Sequence, residues 1–423
     1  MPLALWALTL SAFAIGTTEF VIVGLIPTIA ASLGVSVPSA GLLVSMYALG
    51  VAVGAPLLTA LTGRLPRKQL LLALMALFTV GNLVASMAPG YGSLMGARVL
   101  TGLAHGVFFS IGSTIATGLV AREKAASAIA LMFTGLTVAL VTGVPLGTWI
   151  GQSFGWQSTF LAVSLLGVIA FAGSALLVPN TIKNSAPTSL RSQLVVLGKP
   201  RLLLVYAITT LGYGGTFIAF TYLAPILQEV SGFAPSSVSL VMLVYGVSVA
   251  AGNIWGGKLA DRQGPIRALQ TVFALLALVL LALTFTAPNK WLALATVLAW
   301  GAVAFGNVPG LQVYVVQTAE RDAPDAVDVA SGMNIAAFNV GIALGAWGGG
   351  LIVVHVGLMA TPWVGALVVL GALGLTTWAG RLDQREDARK RATDAAATSD
   401  VPEKCDTRII CVRPRAASSG NIA

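Results

Sequence analysis

Charge is scarce in this chain. Lys, Arg, Asp and Glu make up 9% of its 423 residues, against about 25% in a typical soluble domain. Hydrophobic residues make up 57%, and a water-facing surface cannot be assembled from that mixture. Cysteine is nearly absent: Cys405 and Cys411 both fall near the end, which gives neither a disulfide framework nor a metal site. There are two histidines, His105 and His355, and no clustered nucleophiles, carboxylate pairs or metal ligands that would suggest an enzyme. No Gly-x4-Gly-Lys-Ser/Thr sequence occurs, so ATP is not the energy source within this polypeptide and no cofactor is implied. Positive charge ahead of the first apolar run is also missing. The first charge is Glu19, inside that run, so the N-terminus reads as a membrane helix and not a secretory signal.

What is present is a series of long apolar runs. Residues 20–63, 125–182 and 329–380 contain no Lys, Arg, Asp or Glu. A membrane crossing needs about 20 apolar residues, so each run holds two crossings joined by a turn. Turn signals and charges divide the chain into twelve predicted helices, numbered 1 to 12: 4–28, 39–61, 69–88, 91–119, 127–150, 156–178, 201–228, 236–257, 266–287, 291–317, 326–353 and 360–380. The expected architecture is an all-α membrane protein of two pseudo-symmetric six-helix bundles, 1–178 and 201–380. A polar linker over 179–200 carries Pro179, Pro187 and Pro200, and a charged, small-residue tail over 381–423 is expected to be disordered.

Short cytoplasmic loops collect Lys and Arg. With the N-terminus inside, the inner loops hold Arg64, Arg67, Lys68, Arg122, Lys124, Lys183, Arg191, Lys199, Arg201, Lys258, Arg262, Arg267 and Arg321, and the outer loops hold Lys290 alone. This asymmetry predicts a multi-pass inner (plasma) membrane protein with both termini cytoplasmic. It also explains the net charge of +9 as topology; a nucleic-acid partner would need those charges on one accessible face. Trp149, Trp156, Trp291 and Trp363 are placed as an outer aromatic belt, and His355 near the outer end of helix 11. The two halves repeat. An offset of 198 residues matches Pro27 to Pro225, Tyr47 to Tyr245, Gly54 to Gly252 and Arg64 to Arg262. Parallel six-helix repeats place a substrate site near the bilayer midplane, between the halves.

Motifs sharpen the reading. Gly256-Gly257-Lys-Leu-Ala-Asp261-Arg262-Gln-Gly264 follows helix 8, and Gly63-Arg64-Leu-Pro-Arg67-Lys68 follows helix 2. Helix 4 carries Arg98-x2-Thr101-Gly102-x2-His105-Gly106; helix 5 carries Gly143-Val-Pro145-Leu-Gly147; helix 1 carries Gly16-Thr-Thr18-Glu19-Phe20. Over about residues 4–380 the chain resembles the major facilitator superfamily, in particular the twelve-helix drug:proton antiporters of the arabinose-efflux and chloramphenicol-resistance branch. The resemblance implies gating roles for Asp261, Arg262 and the basic loop after helix 2. It also implies a hinge or leak seal in helix 5, expected to pack its glycines against the opposite half. Two departures stand out: Gly63 occupies the position of Asp261, and Pro145 comes one residue later than in the antiporter motif.

A charge at the bilayer centre is costly and needs a partner or a wet cavity. Away from helix ends the chain has one buried acid, Glu19, and one buried base, Arg98. Glu19 lies roughly 21 Å up helix 1 from the inner side, and Arg98 roughly 10 Å down helix 4 from the outer side. In a core of about 30 Å these depths nearly coincide, so the two are expected to face one another or share a cavity. Burial and a nearby arginine pull a carboxyl's protonation in opposite directions, which suits Glu19 to proton coupling with Arg98; a static ion pair locking helix 1 to helix 4 is the other reading. His105 shares the face of Arg98, two turns on, and is a candidate relay or a plain packing residue. Thr18, Tyr47 and Thr101 are placed at the cavity. The second half has no buried charge and offers Tyr213, Tyr245, Asn307, Gln312, Asn334 and Asn339, polar groups that orient a neutral or amphiphilic ligand or satisfy neighbouring backbone. The expected function is proton-driven efflux, by a carrier working as a monomer, of small organic molecules such as chloramphenicol-like drugs or sugars. The alternatives are a uniporter or uptake symporter and, more remotely, a sensor on the same fold.

Overall fold

Inside a bilayer no water is available to satisfy an apolar segment's backbone, so it closes its hydrogen bonds within a helix. The computed structural model describes residues 1–62, 65–121, 124–180 and 190–399. Among these, regular structure is entirely helical, and twelve helices are long and apolar enough to cross a membrane. They are α1 (Leu3–Leu33), α2 (Val37–Leu58), α3 (Arg67–Ser86), α4 (Tyr91–Gly118), α5 (Ser127–Phe154), α6 (Trp156–Leu177), α7 (Pro200–Val230), α8 (Pro235–Gln263), α9 (Pro265–Thr286), α10 (Lys290–Asp322), α11 (Pro324–His355) and α12 (Ala360–Glu386). Part of the expected linker forms a short helix, Leu190–Leu197. Arg64, Arg122, Lys183 and both cysteines lie outside the described residues.

The helix that begins at Ala360 runs to Ser399, past the boundary expected at 380, so the first part of the tail is ordered. Residues 381–399 contain no Gly or Pro and are rich in Ala, Arg and Asp, which gives the helix nothing to stop it. Met1–Ala379 forms one compact unit and Gly380–Ala423 another.

Small residues set the helix pairings. A Cβ at Gly50 or Gly54 of α2 would run into the backbone of Val99 and Leu103 in α4. In the second half, Gly252 and Gly256 of α8 press on Ala302 and Gly306 of α10 in the same way. Close backbone approach is what such residues permit in a membrane. The glycines of α5 behave differently from expectation: Gly143, Gly147 and Gly151 pack on Thr17, Val21 and Leu25 of α1, within their own half. It is another face of α5, at Leu140 and Val141, that meets the opposite half, at Gly246 of α8. The stripe of α11 mirrors this, with Gly341, Gly345 and Gly349 lying on α7 at Thr210, Gly214 and Ile218.

Several helices are interrupted. A π-turn spans Ala139–Gly143 in α5, just ahead of the buried Pro145, and another spans Ile226–Val230 in α7. Proline withdraws an amide from the ladder, and a π-bulge accommodates the mismatch. Helix α10 breaks between Ala304 and Asn307. The halves also meet unequally along their length. On the side away from the start of α1, one continuous core joins Phe20–Ala30 and Leu43–Ala48 to Phe217–Leu227 and Val238–Val249. On the side where α1 begins, the first half keeps a separate core built on Leu5, Leu8, Leu71, Phe108 and Ile115. There the halves leave a cavity of about 50 Å³ lined by Ala55, Gly106, Asp328, Gly332 and Met333.

Candidate functional site

Glu19 stands at the middle of α1, buried with 8% of its surface exposed. Helices α1 and α4 bring it to Arg98, which is 1% exposed. The two side chains share a site without forming a carboxylate–guanidinium pair. The guanidinium instead spends its donors on main-chain oxygens: Nη1 to Thr18 O at 2.7 Å, Nη2 to Glu19 O at 3.5 Å and Nε to Leu43 O at 3.4 Å. Its carbon lies 4.1 Å above the centroid of the Tyr47 ring, a cation–π contact. Arg98 therefore ties α4 to both α1 and α2.

Tyr47 continues the chain of contacts. Its hydroxyl is 3.0 Å from Nδ1 of His105, and either group can act as donor. The same Nδ1 is 3.9 Å from Oε2 of Glu19, the distance of an ion pair when His105 is protonated. His105 also rests edge-on against Phe109. Glu19, His105, Tyr47 and Arg98 thus form a closed, four-membered buried cluster. Tyr47 is part of this cluster and Thr18 adjoins it through its carbonyl contact with Arg98; the side-chain hydroxyls of both are hydrogen-bonded. Thr18 Oγ1 donates to Asn82 Oδ1 at 2.7 Å, and Asn82 Nδ2 donates to Phe78 O at 2.8 Å. Thr101 is buried and turned back on its own helix, donating to Ala97 O and Arg98 O. Asn82 escaped the sequence reading; its only signal was an uncharged amide in an apolar span.

Across the interface, the expected polar wall divides into two groups. Gln312, Asn334, Thr209 and Ser331 satisfy one another: Thr209 Oγ1 donates to Asn334 Oδ1 at 2.7 Å, Asn334 Nδ2 to Gln312 Oε1 at 3.1 Å, and Gln312 Nε2 to Ser331 Oγ. Asn339 donates to Ile335 O of its own helix. Tyr213, Tyr245 and Asn307 remain without side-chain hydrogen bonds; Asn307 is fully buried, and the two tyrosines sit among rings. Tyr213 contacts Phe217, Phe305 and Phe338, while Tyr245 contacts Phe220 and Trp300. Phe20, the neighbour of Glu19, reaches over from α1 to Phe217 and Phe305 at 6.3 and 6.1 Å between centroids. Phe217, Phe220, Trp300, Phe305 and Phe338 were not singled out from sequence, since a ring at helical spacing reads equally as core.

The remaining motif residues lie at helix ends. Arg67 is buried and Lys68 half-buried at the start of α3; Asp261 and Arg262 are exposed at the end of α8, which Gly264 caps, and Gly257 faces Pro309 of α10. Gly143, Pro145 and Gly147 are buried at the α5 bulge. Of the expected belt, Trp149, Trp291 and Trp363 are exposed, as is His355. Trp156 is not: it is fully buried and donates Nε1 to Ser32 Oγ at 3.1 Å, locking α6 to α1.

A twelve-helix membrane protein with a buried charge cluster in its first half has the form of a carrier, and sequence comparison places it. Residues 8–327 match the sequence model of the Major Facilitator Superfamily. The chain is 55% identical over 383 residues to the uncharacterized MFS-type transporter YtbD of Bacillus subtilis (strain 168), covering 90% of this chain and 96% of that protein. It is 42% identical to the inner membrane transport protein YdhP of Escherichia coli (strain K12), covering 89% and 96%. It is 34% identical to a chloramphenicol resistance protein of Streptomyces lividans, covering 88% and 95%. The chain belongs to the Major Facilitator Superfamily, a family of transporters, and is a multi-pass membrane protein.

Proposed function

We propose that the chain is a proton-coupled antiporter that exports small organic molecules from the cytoplasm by alternating access. The observation that carries this reading is the buried Glu19–His105–Tyr47–Arg98 cluster, set at mid-membrane beside the aromatic wall of α7, α8 and α10. Buried ionisable groups are expensive and mark ion or proton pathways. With Glu19 ionised, Arg98 and His105 face a balancing charge. Protonating Glu19 leaves Arg98 as an uncompensated cation held by carbonyl dipoles and the Tyr47 face, a less favourable state. Proton uptake at Glu19 therefore changes the energy of the contact between α1, α2 and α4. Phe20 carries any movement of α1 to Phe217 and Phe305 in the second half.

The Lys and Arg asymmetry supports an inner-membrane orientation with both termini cytoplasmic. On that orientation the cavity by Ala55 and Met333 opens inward, and the continuous core closes the outer side. The relative named for chloramphenicol resistance supports drugs among the substrates, and neutral sugars share the same uncharged chemistry. Everted vesicles test the coupling: substrate added to the loaded carrier should release protons, and Glu19→Gln should abolish that release while leaving folding intact. Full proton-driven transport by Glu19→Gln would overturn the reading, and proton uptake with substrate would make the chain a symporter.

A further inference from the structure

The cavity on the side where α1 begins is too small for the cargo of an exporter. Its volume is about 50 Å³, whereas sites for drug-sized ligands run to about 300–1,000 Å³. Something that lines it has to move before substrate can enter. Three of its walls are transmembrane helices: α2 at Ala55 and Pro56, α4 at Gly106, and α11 at Asp328 and Met333. The fourth is the short helix of the linker, Leu190–Leu197, which reaches the cavity through Gln193.

These walls differ in what it takes to move them. Helices α2 and α4 meet backbone to backbone: a Cβ on Gly106 would lie 2.6 Å from both Ala55 N and Val51 O. Helix α2 is also tied to α11, where Ser45 Oγ donates to Ala343 O at 3.0 Å. The linker helix is only eight residues long. It lies against α2 of the first half and α7 and α11 of the second, so it bridges the halves across the cavity. Among its described side chains Gln193 and Val196 are buried, while Leu194, Val195 and Leu197 are exposed. Gln193 Nε2 donates to Pro56 O of α2 at 2.9 Å.

The chain also supplies a joint. Gly198 N closes the linker helix on Leu194 O, Lys199 is extended with φ of −97° and ψ of 110°, and Pro200 opens α7. Proline has no amide to carry a helix ladder onward and disfavours helical backbone in the residue before it. The linker helix and α7 therefore cannot fuse into one rod. Short breaks of this kind are where lids turn.

We propose that the linker helix is a hinged lid over the inner mouth of the carrier, turning at Gly198–Lys199 and latched by the hydrogen bond from Gln193 to Pro56 O. The export reading above supplies what passes the mouth, and the lid rests on it to that extent. Latched, the cavity admits nothing of drug size. Unlatched, Gln193 leaves α2 and the cavity joins the cytoplasmic side, with the seams of α2 on α4 and α11 left intact. Gln193 acts as a gating residue and need not touch substrate.

The test uses the full-length protein in detergent, with Cys405 and Cys411 replaced by serine and Ala55→Cys as the reporter. A small methanethiosulfonate and a bulky fluorescein maleimide are compared, without substrate or proton gradient. With Gln193 in place the small reagent should react and the bulky one be held back, relative to the same protein unfolded in dodecyl sulfate. Gln193→Glu keeps the shape, loses the donor and adds a second carboxylate to the cavity that Asp328 lines. It should raise the bulky-reagent rate at least about fivefold, the equivalent of one net hydrogen bond of about 1 kcal/mol, and barely change the small-reagent rate. Gln193→Lys keeps a donor for Pro56 O and should label as the unsubstituted reporter does. An unchanged bulky-reagent rate in Gln193→Glu overturns the proposal. So does an equal rise for both reagents, which would mean a loosened bundle and no lid. Should Gln193→Glu fold poorly, the reporter with Gln193 in place still decides: if it takes the two reagents in the ratio of the unfolded chain, no lid is present. The two readings fail separately. Unchanged labelling alongside substrate-linked proton release would remove the lid and leave antiport standing, and labelling as expected without proton release would do the reverse.

Discussion

Arg98 shows how much one side chain can organise. Its donors reach Thr18 O, Glu19 O and Leu43 O, which lie on two different helices, while its flat face covers Tyr47. A planar five-donor fork can serve these directions together; an ammonium cannot. Arg98→Lys keeps the charge and loses the fork. Hydrogen bonds to charged groups contribute about 1.5–3 kcal/mol each, so the variant should unfold at least 2 kcal/mol more easily, which thermal unfolding in detergent measures. Transport should fall with it, because the α1–α4 contact would no longer hold Glu19 beside His105. Wild-type stability and transport in Arg98→Lys would show that charge alone suffices. The sequence made Glu19 and Arg98 legible for a simple reason: ionisable groups are rare in an apolar run and costly to bury. Asn82 and Trp300 carry no such mark, since neutral amides and rings are common in membrane helices. Their roles became visible only through the atoms they meet.

At the scale of the helix, glycine spacing was legible but its direction was not. The repeat offset of 198 residues also matches Gly143, Gly147, Trp149 and Gly151 to Gly341, Gly345, Trp347 and Gly349, and Gly34 to Gly232. The last pair share a left-handed backbone, with φ of 62° and 70°, where a residue without Cβ costs least. Periodicity locates a small-residue stripe, yet which neighbour it faces depends on the rotation of the whole helix, and α5 turns its stripe inward to α1. Gly252 and Gly348 separate the two kinds of glycine. A Cβ on Gly252 would sit 2.7 Å from the Cα of Ala302, whereas one on Gly348 meets nothing within 4 Å. Gly252→Ala should therefore destabilise by about 1–3 kcal/mol through overpacking. Gly348→Ala should be neutral or stabilise by up to about 1 kcal/mol through helix propensity. Parallel thermal unfolding of both variants checks this; equal effects would mean that the α8–α10 seam yields to the extra methyl.

For the whole molecule, the twelve-helix plan followed from run length and charge spacing, both fixed by bilayer thickness. Which side is closed could not follow from them, because both closures use the same helices. Among the described residues, the core that the two halves share lies on the side away from the start of α1. Tyr222 is the keystone there. Its hydroxyl donates to Ala346 O of α11 at 3.0 Å and presses on Gly41 of α2 and Gly350 of α11. A Cβ placed on Gly350 would lie 3.5 Å from that of Pro38, across the boundary between the halves. That separation suits a disulfide, for which Cβ atoms stand about 3.5–4.5 Å apart. In a background with Cys405 and Cys411 replaced by serine, the pair Pro38→Cys and Gly350→Cys should cross-link on oxidation. If transport requires this side to open, the cross-link holds the carrier closed: transport stops on oxidation and returns with reductant, while each single variant is indifferent to both. A probe thiol at Ala55, which lines the opposite cavity, should stay reactive in the cross-linked protein and lose reactivity when the uncross-linked carrier is driven to its other state. Transport that persists in fully cross-linked protein would mean that substrate does not pass between α2 and α11 on this side, and the alternating mechanism would have to be abandoned.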